Sequence, residues 1–367
     1  MNKLGFGFLR LPKLDPQDDA SIDYEKLNEL VDEFLRLGGR YFDTAYTYHD
    51  GMSEVAVRKS LVERHSRESF ILADKLPSWK VKSKEDNWKY FNRQLEKCGV
   101  DYFDVYLLHW LNDAHYEIAE RYDEFGFLQE LKAKGKAKKI GFSYHDDADL
   151  LERILKAHPE VDYVQLQINY LDWESAAVQS RKCYEVAEKH GKQIIVMEPV
   201  KGGTLAKVSA EAAEVFAKLD VTASPAKWAL RFVQSLPQVE TVLSGMNSMS
   251  QIIENMEDMQ PVSKTELQVY EEVCNIIVGQ TAIPCTACGY CAGNCPKHIA
   301  IPQYFKLYNE YCRDIDEAWK IQPVYEGLTK NHGKASECIE CRVCERNCPQ
   351  KIEITDWLKK TAAAMEC

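Results

Sequence analysis

Eight cysteines in the C-terminal part of the chain have a spacing that suits metal binding. They form two runs of one pattern, in which cysteines are separated by two, two and three residues and a proline follows: Cys285, Cys288, Cys291, Cys295, then Cys338, Cys341, Cys344, Cys348. Only three of the 13 cysteines lie before residue 285. We expect a cytosolic location, where disulfides are disfavoured, so thiols this dense are expected to bind metal.

This pattern resembles the ligand run of bacterial ferredoxins, which holds a [4Fe–4S] cluster. In such proteins the fourth cysteine of each run binds the other cluster. The resemblance implies two [4Fe–4S] clusters, one on Cys285, Cys288, Cys291 and Cys348 and one on Cys338, Cys341, Cys344 and Cys295. Zinc is the alternative, but zinc sites usually use paired C-x2-C knuckles. The 42 residues between the runs predict a helical insertion.

An aspartate, a tyrosine, a lysine and a histidine follow or end short apolar runs earlier in the chain. They are Asp43, Tyr48, Lys75 and His109. A tyrosine is a weak acid with a pKa near 10, and a nearby lysine cation favours the phenolate. An aspartate can hold that lysine in place, and a histidine can orient a carbonyl group. The set therefore predicts acid catalysis by a phenol.

The elements that position these residues are short apolar runs that alternate with segments of helical spacing. There are eight runs, too short for helices: Leu4–Phe8, Arg40–Thr44, Phe70–Asp74, Asp104–His109, Lys139–Ser143, Tyr163–Ile168, Gln193–Glu198 and Glu240–Ser244. This alternation predicts an α/β fold, a (β/α)8 TIM barrel, followed by a small, largely helical ferredoxin-like iron–sulfur domain. An open doubly wound sheet is the alternative, but no G-x-G-x-x-G follows the first run. We predict a barrel over 1–265, a connecting helix or linker over 266–284, and the cluster domain over 285–367.

Charge and hydropathy exclude several classes of protein. The formal net charge is -11, and the last 83 residues contribute none of it, because they hold 11 basic and 11 acidic residues. An acidic chain has no electrostatic footprint for nucleic acid, so we expect none as a partner. No apolar run reaches the roughly 18 residues of a membrane span, and the first residues show no signal-like cleavage site. We therefore expect no membrane partner and a cytoplasmic protein.

The stretch FDTAYTYHDGMSE resembles the F-D-T-A-x-x-Y-G-x-x-E signature of the aldo-keto reductases. The resemblance extends over the whole predicted barrel. It implies an NAD(P)H-dependent oxidoreductase that reduces an aldehyde or ketone, or oxidises the alcohol, by hydride transfer. It also implies that Tyr48 is the general acid/base, that Lys75 and Asp43 tune it, and that His109 orients the carbonyl. Tyr46 competes for the acid role, and the signature spacing favours Tyr48.

The same resemblance implies a site for NADP or NAD. Ser143, Gln167 and Asn169 match positions that bind the carboxamide, and Met197 stands where the family often stacks an aromatic ring. Lys201 and Gly202 are candidates for the pyrophosphate. The predicted adenine side comprises Gly245, Asn247, Gln251, Glu254 and Asn255. Many NADPH-preferring members carry Lys at the position of Gly245 and Arg at that of Gln251, so their absence leaves NADH open.

Two functions remain open from the sequence. The first is the carbonyl or alcohol oxidoreductase, accompanied by its two clusters and a redox partner protein. The alternative is an electron-transfer protein whose barrel binds a partner, a flavin or a substrate without nicotinamide-dependent turnover. Hydride transfer moves two electrons and each cluster moves one, and no flavin motif is recognisable to connect them.

Overall fold

The computed structural model describes residues 3–313 and 318–366. The predicted domain ranges also include residues 1–2, 314–317 and 367, which lie outside the described residues. Eight parallel strands close into one barrel, in which each strand pairs with the next and the eighth pairs with the first. The strands are β1 Leu4–Gly7, β2 Tyr41–Asp43, β3 Ile71–Leu76, β4 Phe103–Leu111, β5 Ala137–Tyr144, β6 Tyr163–Gln167, β7 Gln193–Met197 and β8 Val239–Ser244. The predicted (β/α)8 barrel is confirmed, and the open sheet was the wrong alternative.

A helix lies between every two successive strands, and further helices follow the last strand. Within the described residues they are α1 Tyr24–Arg36, α2 Ser53–Val57, α3 Lys84–Cys98, α4 Asp113–Arg121, α5 Glu124–Ala133, α6 Ala148–Ala157, α7 Ser180–Lys189, α8 Ala210–Ala217, α9 Pro225–Gln234, α10 Met249–Asn255, α11 Lys264–Gln280, α12 Ile301–Arg313, α13 Ala318–Thr329, α14 Val343–Arg346 and α15 Ile354–Met365. The region after β8 is therefore largely helical, as the sequence predicts.

Helix α1 shows how local sequence builds these elements. It begins after Asp23, whose side chain accepts a hydrogen bond from the Lys26 N–H at 3.1 Å, as an N-cap residue does. Its buried face consists of Leu27, Leu30, Val31 and Phe34. A Cβ at Gly39 would lie 2.4 Å from the Phe34 ring. The ring can therefore cover the turn into β2 only because residue 39 has no side chain.

Side chains at alternate strand positions fill the inside of the barrel. A buried apolar cluster there consists of Tyr41, Ala73, Val105, Leu107, Tyr163, Ile195 and Leu243. Because successive side chains of a strand point to opposite faces, the residue two positions further along points the same way. Asp43, Lys75, His109, Gln165 and Met197 each follow a member of this cluster by two residues. They therefore face inward at the carboxyl ends of their strands, where barrel enzymes hold their sites.

The chain divides into two compact units. The first comprises 1–175, 179–199 and 229–262 and contains all eight strands. The second comprises 176–178, 200–228 and 263–367, with both cysteine runs. Its core includes the buried Ile283, Ile299, Ile301, Tyr304, Phe305, Tyr325, Ile352, Ile354 and Leu358. Among the described residues, no helix is long and apolar enough to cross a lipid bilayer.

Candidate functional site

Four polar side chains of the first unit meet near the carboxyl ends of β2, β3 and β4. Lys75 Nζ donates to Asp43 Oδ1 at 2.6 Å and to the Thr44 carbonyl oxygen at 2.7 Å. It also lies 3.4 Å from Tyr48 Oη. The His109 ring packs edge-on against the Tyr48 ring, with 5.7 Å between centroids. Lys75 is completely buried and the other three nearly so. The structure thus brings together the four residues predicted as one catalytic set.

A tight turn over Tyr48–Gly51 aims Tyr48 at this set. His49 and Asp50 have φ angles of 51° and 52°, a left-handed conformation that reverses the chain direction. The Leu11 N–H donates to His49 Nε2 at 3.2 Å and holds the turn from outside. Tyr46, the competing tyrosine, instead packs its ring 5.2 Å from that of Tyr90. Tyr48 is therefore the tyrosine that contacts Lys75.

A bulge at the end of β4 positions His109. The register with β5 shifts between Leu108 and Leu111, and Trp110 has a φ of 65°. The Trp110 N–H donates to Ser143 Oγ at 2.7 Å, which fixes the bulge. Trp79 lies 5.2 Å from the rings of both His109 and Trp110. Bulges commonly re-aim side chains at active sites, and this one sets His109 beside an aromatic wall.

Burial determines the protonation states of this set. It raises the pKa of Tyr48 well above 10, and the carboxylates of Asp43, Asp74 and Glu198 raise it further. Desolvation of the phenolate therefore outweighs the lowering of this pKa that is expected from the nearby lysine cation. Burial also lowers the pKa of His109 well below 6.5, with Lys75 adding to the effect. At neutral pH the site holds a protonated phenol and a neutral imidazole.

The residues predicted to bind the nicotinamide lie at the ends of β5, β6 and β7. Ser143 Oγ accepts from Trp110, which leaves its own O–H to donate. Gln167 Nε2 donates to Asp172 Oδ2 at 2.9 Å, and this bond presents Oε1 as the acceptor of that amide. A hydroxyl donor and an amide acceptor fit the two ends of a carboxamide. Ser143 and Gln167 would therefore hold a nicotinamide. The Met197 sulfur accepts a hydrogen bond from Gln165 Nε2 at 3.6 Å.

Asn169, also predicted to bind the carboxamide, makes three hydrogen bonds in the turn after β6. Its Nδ2 donates to Asp172 Oδ2 at 2.8 Å and to the Glu198 carbonyl oxygen at 3.1 Å, while its Oδ1 accepts from the Asp172 N–H at 2.8 Å. Both donors and the acceptor of the amide thus serve the turn after β6. Sequence reasoning missed Asp172, although Asn and Asp are both residues that favour turns. It also missed Gln165, whose buried Oε1 has no hydrogen-bond partner among the described residues.

The predicted adenine side surrounds the end of β8 and helix α10. The Asn247 N–H donates to Gln251 Oε1 at 2.7 Å, and Asn255 Nδ2 donates to Ser244 Oγ at 3.4 Å. Glu254 is half-buried on the same helix. A Cβ at Gly245 would lie 2.9 Å from the Cβ of Arg10, whose side chain covers this glycine. A lysine at position 245 therefore requires Arg10 to move, because the aliphatic part of this basic side chain already occupies the place.

Two cavities in the second unit are lined by the eight patterned cysteines. The first cavity is lined by Cys285, Cys288, Cys291 and Cys348 together with apolar side chains. The second cavity is lined by Cys295, Cys338, Cys341 and Cys344. Burial and the neighbouring Cys288 and Cys285 raise the pKa of Cys291, so a thiolate there needs a cation to balance it. Four cysteines around each cavity match the number of thiolate ligands that a [4Fe–4S] cluster takes.

The two cysteine runs and the residues after them have positive φ angles at corresponding positions. Positive φ angles occur two, four and thirteen residues after the first cysteine of each run, at Ala287, Gly289 and His298 and again at Glu340, Arg342 and Lys351. Five of these six residues are not glycine, and for each of these five the conformation is intrinsically unfavourable by about 1–3 kcal/mol. The Ala287 N–H donates to Cys285 Sγ at 3.4 Å. Turns of this handedness direct backbone N–H groups to one side and form anion-binding concavities.

Lys201 and Gly202 lie in the second unit, against the loops of the first cavity. Lys201 Nζ donates to Gln350 Oε1 at 2.9 Å. A Cβ at Gly202 would lie 2.1 Å from the carbonyl oxygen of Thr286. Thr286 and Gln350 both line the first cavity. The assignment of Lys201 and Gly202 to the pyrophosphate stays a prediction from the sequence.

Two family models match the chain. The model described as the aldo/keto reductase family matches residues 3–273, well over half of the chain. A 4Fe-4S dicluster domain matches residues 254–353. The chain belongs to the aldo/keto reductase family, and it carries a C-terminal 4Fe-4S dicluster domain. Both resemblances, that of FDTAYTYHDGMSE to the aldo-keto reductases and that of the two cysteine runs to bacterial ferredoxins, are thereby confirmed.

The individual relatives are less than one third identical to this chain over the matched residues. The NADH-specific methylglyoxal reductase of Escherichia coli K12 is 27% identical over 210 residues, which cover 52% of this chain and 61% of that protein. A second methylglyoxal reductase of the same strain is 31% identical over 121 residues, covering 32% and 39%. The chain thus spans less than two thirds of the length of either. An aldo-keto reductase from Klebsiella pneumoniae, solved in complex with NADPH, superposes with a TM-score of 0.57 at 20% identity over 74% of this chain and 90% of that one.

Proposed function

We propose that the protein reduces a small aldehyde or ketone to the alcohol with a nicotinamide dinucleotide. The observation that carries this proposal is the buried contact of Lys75 with both Asp43 and Tyr48, beside His109. A nicotinamide bound at Ser143 and Gln167 would supply the hydride to the carbonyl carbon. Tyr48 supplies the proton to the carbonyl oxygen, so the substrate gains one hydride and one proton.

The other residues of the set prepare this proton transfer. The buried Lys75 ammonium lies 3.4 Å from Tyr48 Oη, where it stabilises the phenolate left after the proton has gone. Asp43 balances the lysine, because an unpaired charge buried there is strongly unfavourable. The neutral His109 donates a hydrogen bond to the carbonyl oxygen as negative charge develops on it. Tyr48 acts as an acid in this direction and needs no base to activate it.

Small dicarbonyl compounds are the proposed substrates to test first. The two E. coli relatives are named for methylglyoxal, and Trp79 beside His109 offers a flat aromatic wall for a planar carbonyl. The test is consumption of NADH or NADPH by anaerobically purified protein with methylglyoxal, with product identified as the alcohol. Absence of turnover with methylglyoxal and with simple aldehydes and ketones would overturn the proposal in favour of an electron-transfer protein.

The raised pKa of Tyr48 predicts the pH profile of the reaction. Because the phenol stays protonated above its usual range, kcat/KM for reduction should stay within twofold between about pH 6.5 and about pH 9. The lowered pKa of His109 means that its protonation causes no loss at the acidic end of this range. The reverse oxidation requires the phenolate as base, so its rate should rise with pH throughout. A fall in the reduction rate centred between about pH 7 and about pH 9 would contradict this account.

Coenzyme choice provides a further prediction. We propose that Arg10, and neither position 245 nor position 251, supplies the cation for a 2′-phosphate, since its side chain covers Gly245. Guanidinium binds phosphate by charge-assisted hydrogen bonds. Arg10→Ala should lower kcat/KM with NADPH about tenfold, on the order of one charged hydrogen bond, and change it much less with NADH. Equal losses with both coenzymes, measured in the same variant, would contradict the assignment.

We further propose that the cysteines of the two cavities bind two [4Fe–4S] clusters that exchange single electrons with a redox partner protein. The four sulfur ligands lining each cavity support this proposal. Since each cluster moves one electron and a hydride carries two, we place this exchange on a route separate from carbonyl reduction. Thiolate ligands persist in a reducing compartment, so we place the protein in the cytosol.

A further inference from the structure

The segment 200–203 lies against both stretches of chain that line the first cavity. This cavity is lined by Cys285, Cys288 and Cys291 from one run and by Cys348 from the other. On the side of the first run, Gly202 approaches the Thr286 carbonyl so closely that any Cβ would collide with it. On the side of the second run, Lys201 donates to Gln350, two residues after Cys348. One short segment therefore contacts the two loops whose cysteines must come together.

The backbone of this segment has a conformation that is intrinsically unfavourable for a residue other than glycine. Gly202 has a φ of 65° and Gly203 a φ of 100°, both suited to glycine. Lys201 has a φ of 47°, which a lysine rarely adopts. Its side chain is nevertheless buried, with 3% of the residue exposed. Strained residues held in place by their surroundings mark functional positions more often than ordinary loops.

The charge of Lys201 suits an iron–sulfur cluster. The charge of a buried ammonium acts strongly on an anion nearby, because a low-dielectric surrounding screens it little. A [4Fe–4S] cluster with four thiolate ligands is anionic, and Lys201 lies at the edge of the first cavity through Gln350, whose Nε2 has no hydrogen-bond partner among the described residues. Reduction adds negative charge to the cluster, so a fixed cation in a low-dielectric surrounding favours the reduced form.

The second cavity has a lysine of its own at the sequence position that corresponds to Gln350 of the first cavity. The residue two positions after Cys295 is Lys297, which lines the second cavity but is exposed to solvent. Water screens an exposed charge, so Lys297 acts on its cavity more weakly than a buried lysine would. The two cavities are thus equivalent in cysteine pattern and unequal in their fixed charge.

We propose that Lys201 and Gly202 are part of the first cluster's binding site, where Lys201 raises the reduction potential of that cluster and Gly202 lets the segment close on it. The proposal rests on the clusters of the proposed function. It assigns Lys201 to the second unit's redox chemistry and not to the pyrophosphate of a dinucleotide.

The test is an anaerobic redox titration of the full-length holoprotein, followed by electron paramagnetic resonance. Wild-type protein is first analysed for iron and sulfide, because a chain without clusters would refute the proposed function before this question arises. Lys201→Met should shift the reduction equilibrium of one cluster at least tenfold towards the oxidised form, which is about 59 mV for one electron. Lys201→Arg, which keeps the charge, and Lys297→Met, the exposed counterpart, should each shift it less than threefold.

A second variant, Gln350→Glu, tests the same proposal if Lys201→Met fails to bind the first cluster. Gln350→Glu keeps the lysine but places a carboxylate against it, and should lower the potential of the same cluster. Unchanged potentials in both Lys201→Met and Gln350→Glu would overturn the proposal. A tenfold weaker affinity of Lys201→Met for NADH or NADPH, measured by calorimetry with unchanged potentials, would also overturn it and return Lys201 to the dinucleotide site.

Discussion

Tyr48→Phe should lower kcat for carbonyl reduction by about 10²–10⁴-fold, the range that a positioned proton donor contributes. The variant keeps the ring that packs against His109 and loses only the hydroxyl beside Lys75. Affinity for the coenzyme should therefore stay within about twofold, so that the loss appears in kcat. The measurement is steady-state turnover with methylglyoxal, together with coenzyme titration by protein fluorescence.

Tyr46→Phe is the matched control for this variant. It removes the hydroxyl of a tyrosine two residues away from Tyr48. The Tyr46 ring packs on Tyr90, and its centroid lies 5.1 Å from Lys97 Nζ. It should retain turnover within about threefold, the range of ordinary surface changes. Full activity in Tyr48→Phe would refute the assignment of Tyr48, and a large loss in Tyr46→Phe alone would transfer the role to Tyr46.

Pairs of cysteine substitutions should reveal which ligands share a cluster. Cys285 and Cys348 line the same cavity, so Cys285→Ala/Cys348→Ala should keep about four of about eight irons per chain. Cys338 lines the other cavity, so Cys338→Ala/Cys348→Ala should keep almost none. Each double variant removes two cysteines, so the comparison separates shared ligation from the number of thiols lost. Iron and acid-labile sulfide are measured on protein purified without oxygen.

Ligation within each run would give the reverse result. If Cys348 belonged with Cys338, Cys338→Ala/Cys348→Ala would keep half of the iron and Cys285→Ala/Cys348→Ala would keep none. Cys312→Ala is the control, because Cys312 is exposed and lies outside both runs. It should leave the iron content unchanged. The two schemes therefore predict opposite iron contents for the same pair of proteins.

Much of the barrel could be predicted from the sequence because its strands are buried on both faces. The run Arg40–Thr44 becomes β2 Tyr41–Asp43, and the helical spacing after Tyr24 becomes α1. The end of β4 was less predictable. The strand continues to Leu111 through a bulge, because Trp110 adopts a positive φ and donates to Ser143 on β5. That contact depends on the neighbouring strand, which a local pattern does not contain.

The candidate site was predictable where chemistry follows strand order and unpredictable where it depends on distant contacts. Asp43, Lys75 and His109 follow interior residues at a spacing of two, so they face one another once the barrel closes. The pKa of Tyr48 required knowledge of its burial, which outweighs the lysine beside it. The contact of Lys201 with Gln350 joins residues 149 apart in sequence. No periodicity links those two positions, so only the folded chain shows them together.

The sharing of cysteines between the two cavities sets an order of events during biosynthesis. Cys348 lines the first cavity and Cys295 lines the second, so on the proposed assignment neither cluster is complete until both runs have left the ribosome. The barrel strands, by contrast, all precede residue 245 and can pair earlier. During that interval the first run exposes thiols without iron, which oxygen can oxidise. Yields of the holoprotein should therefore depend on the supply of iron–sulfur assembly factors after translation more than on the folding of the barrel.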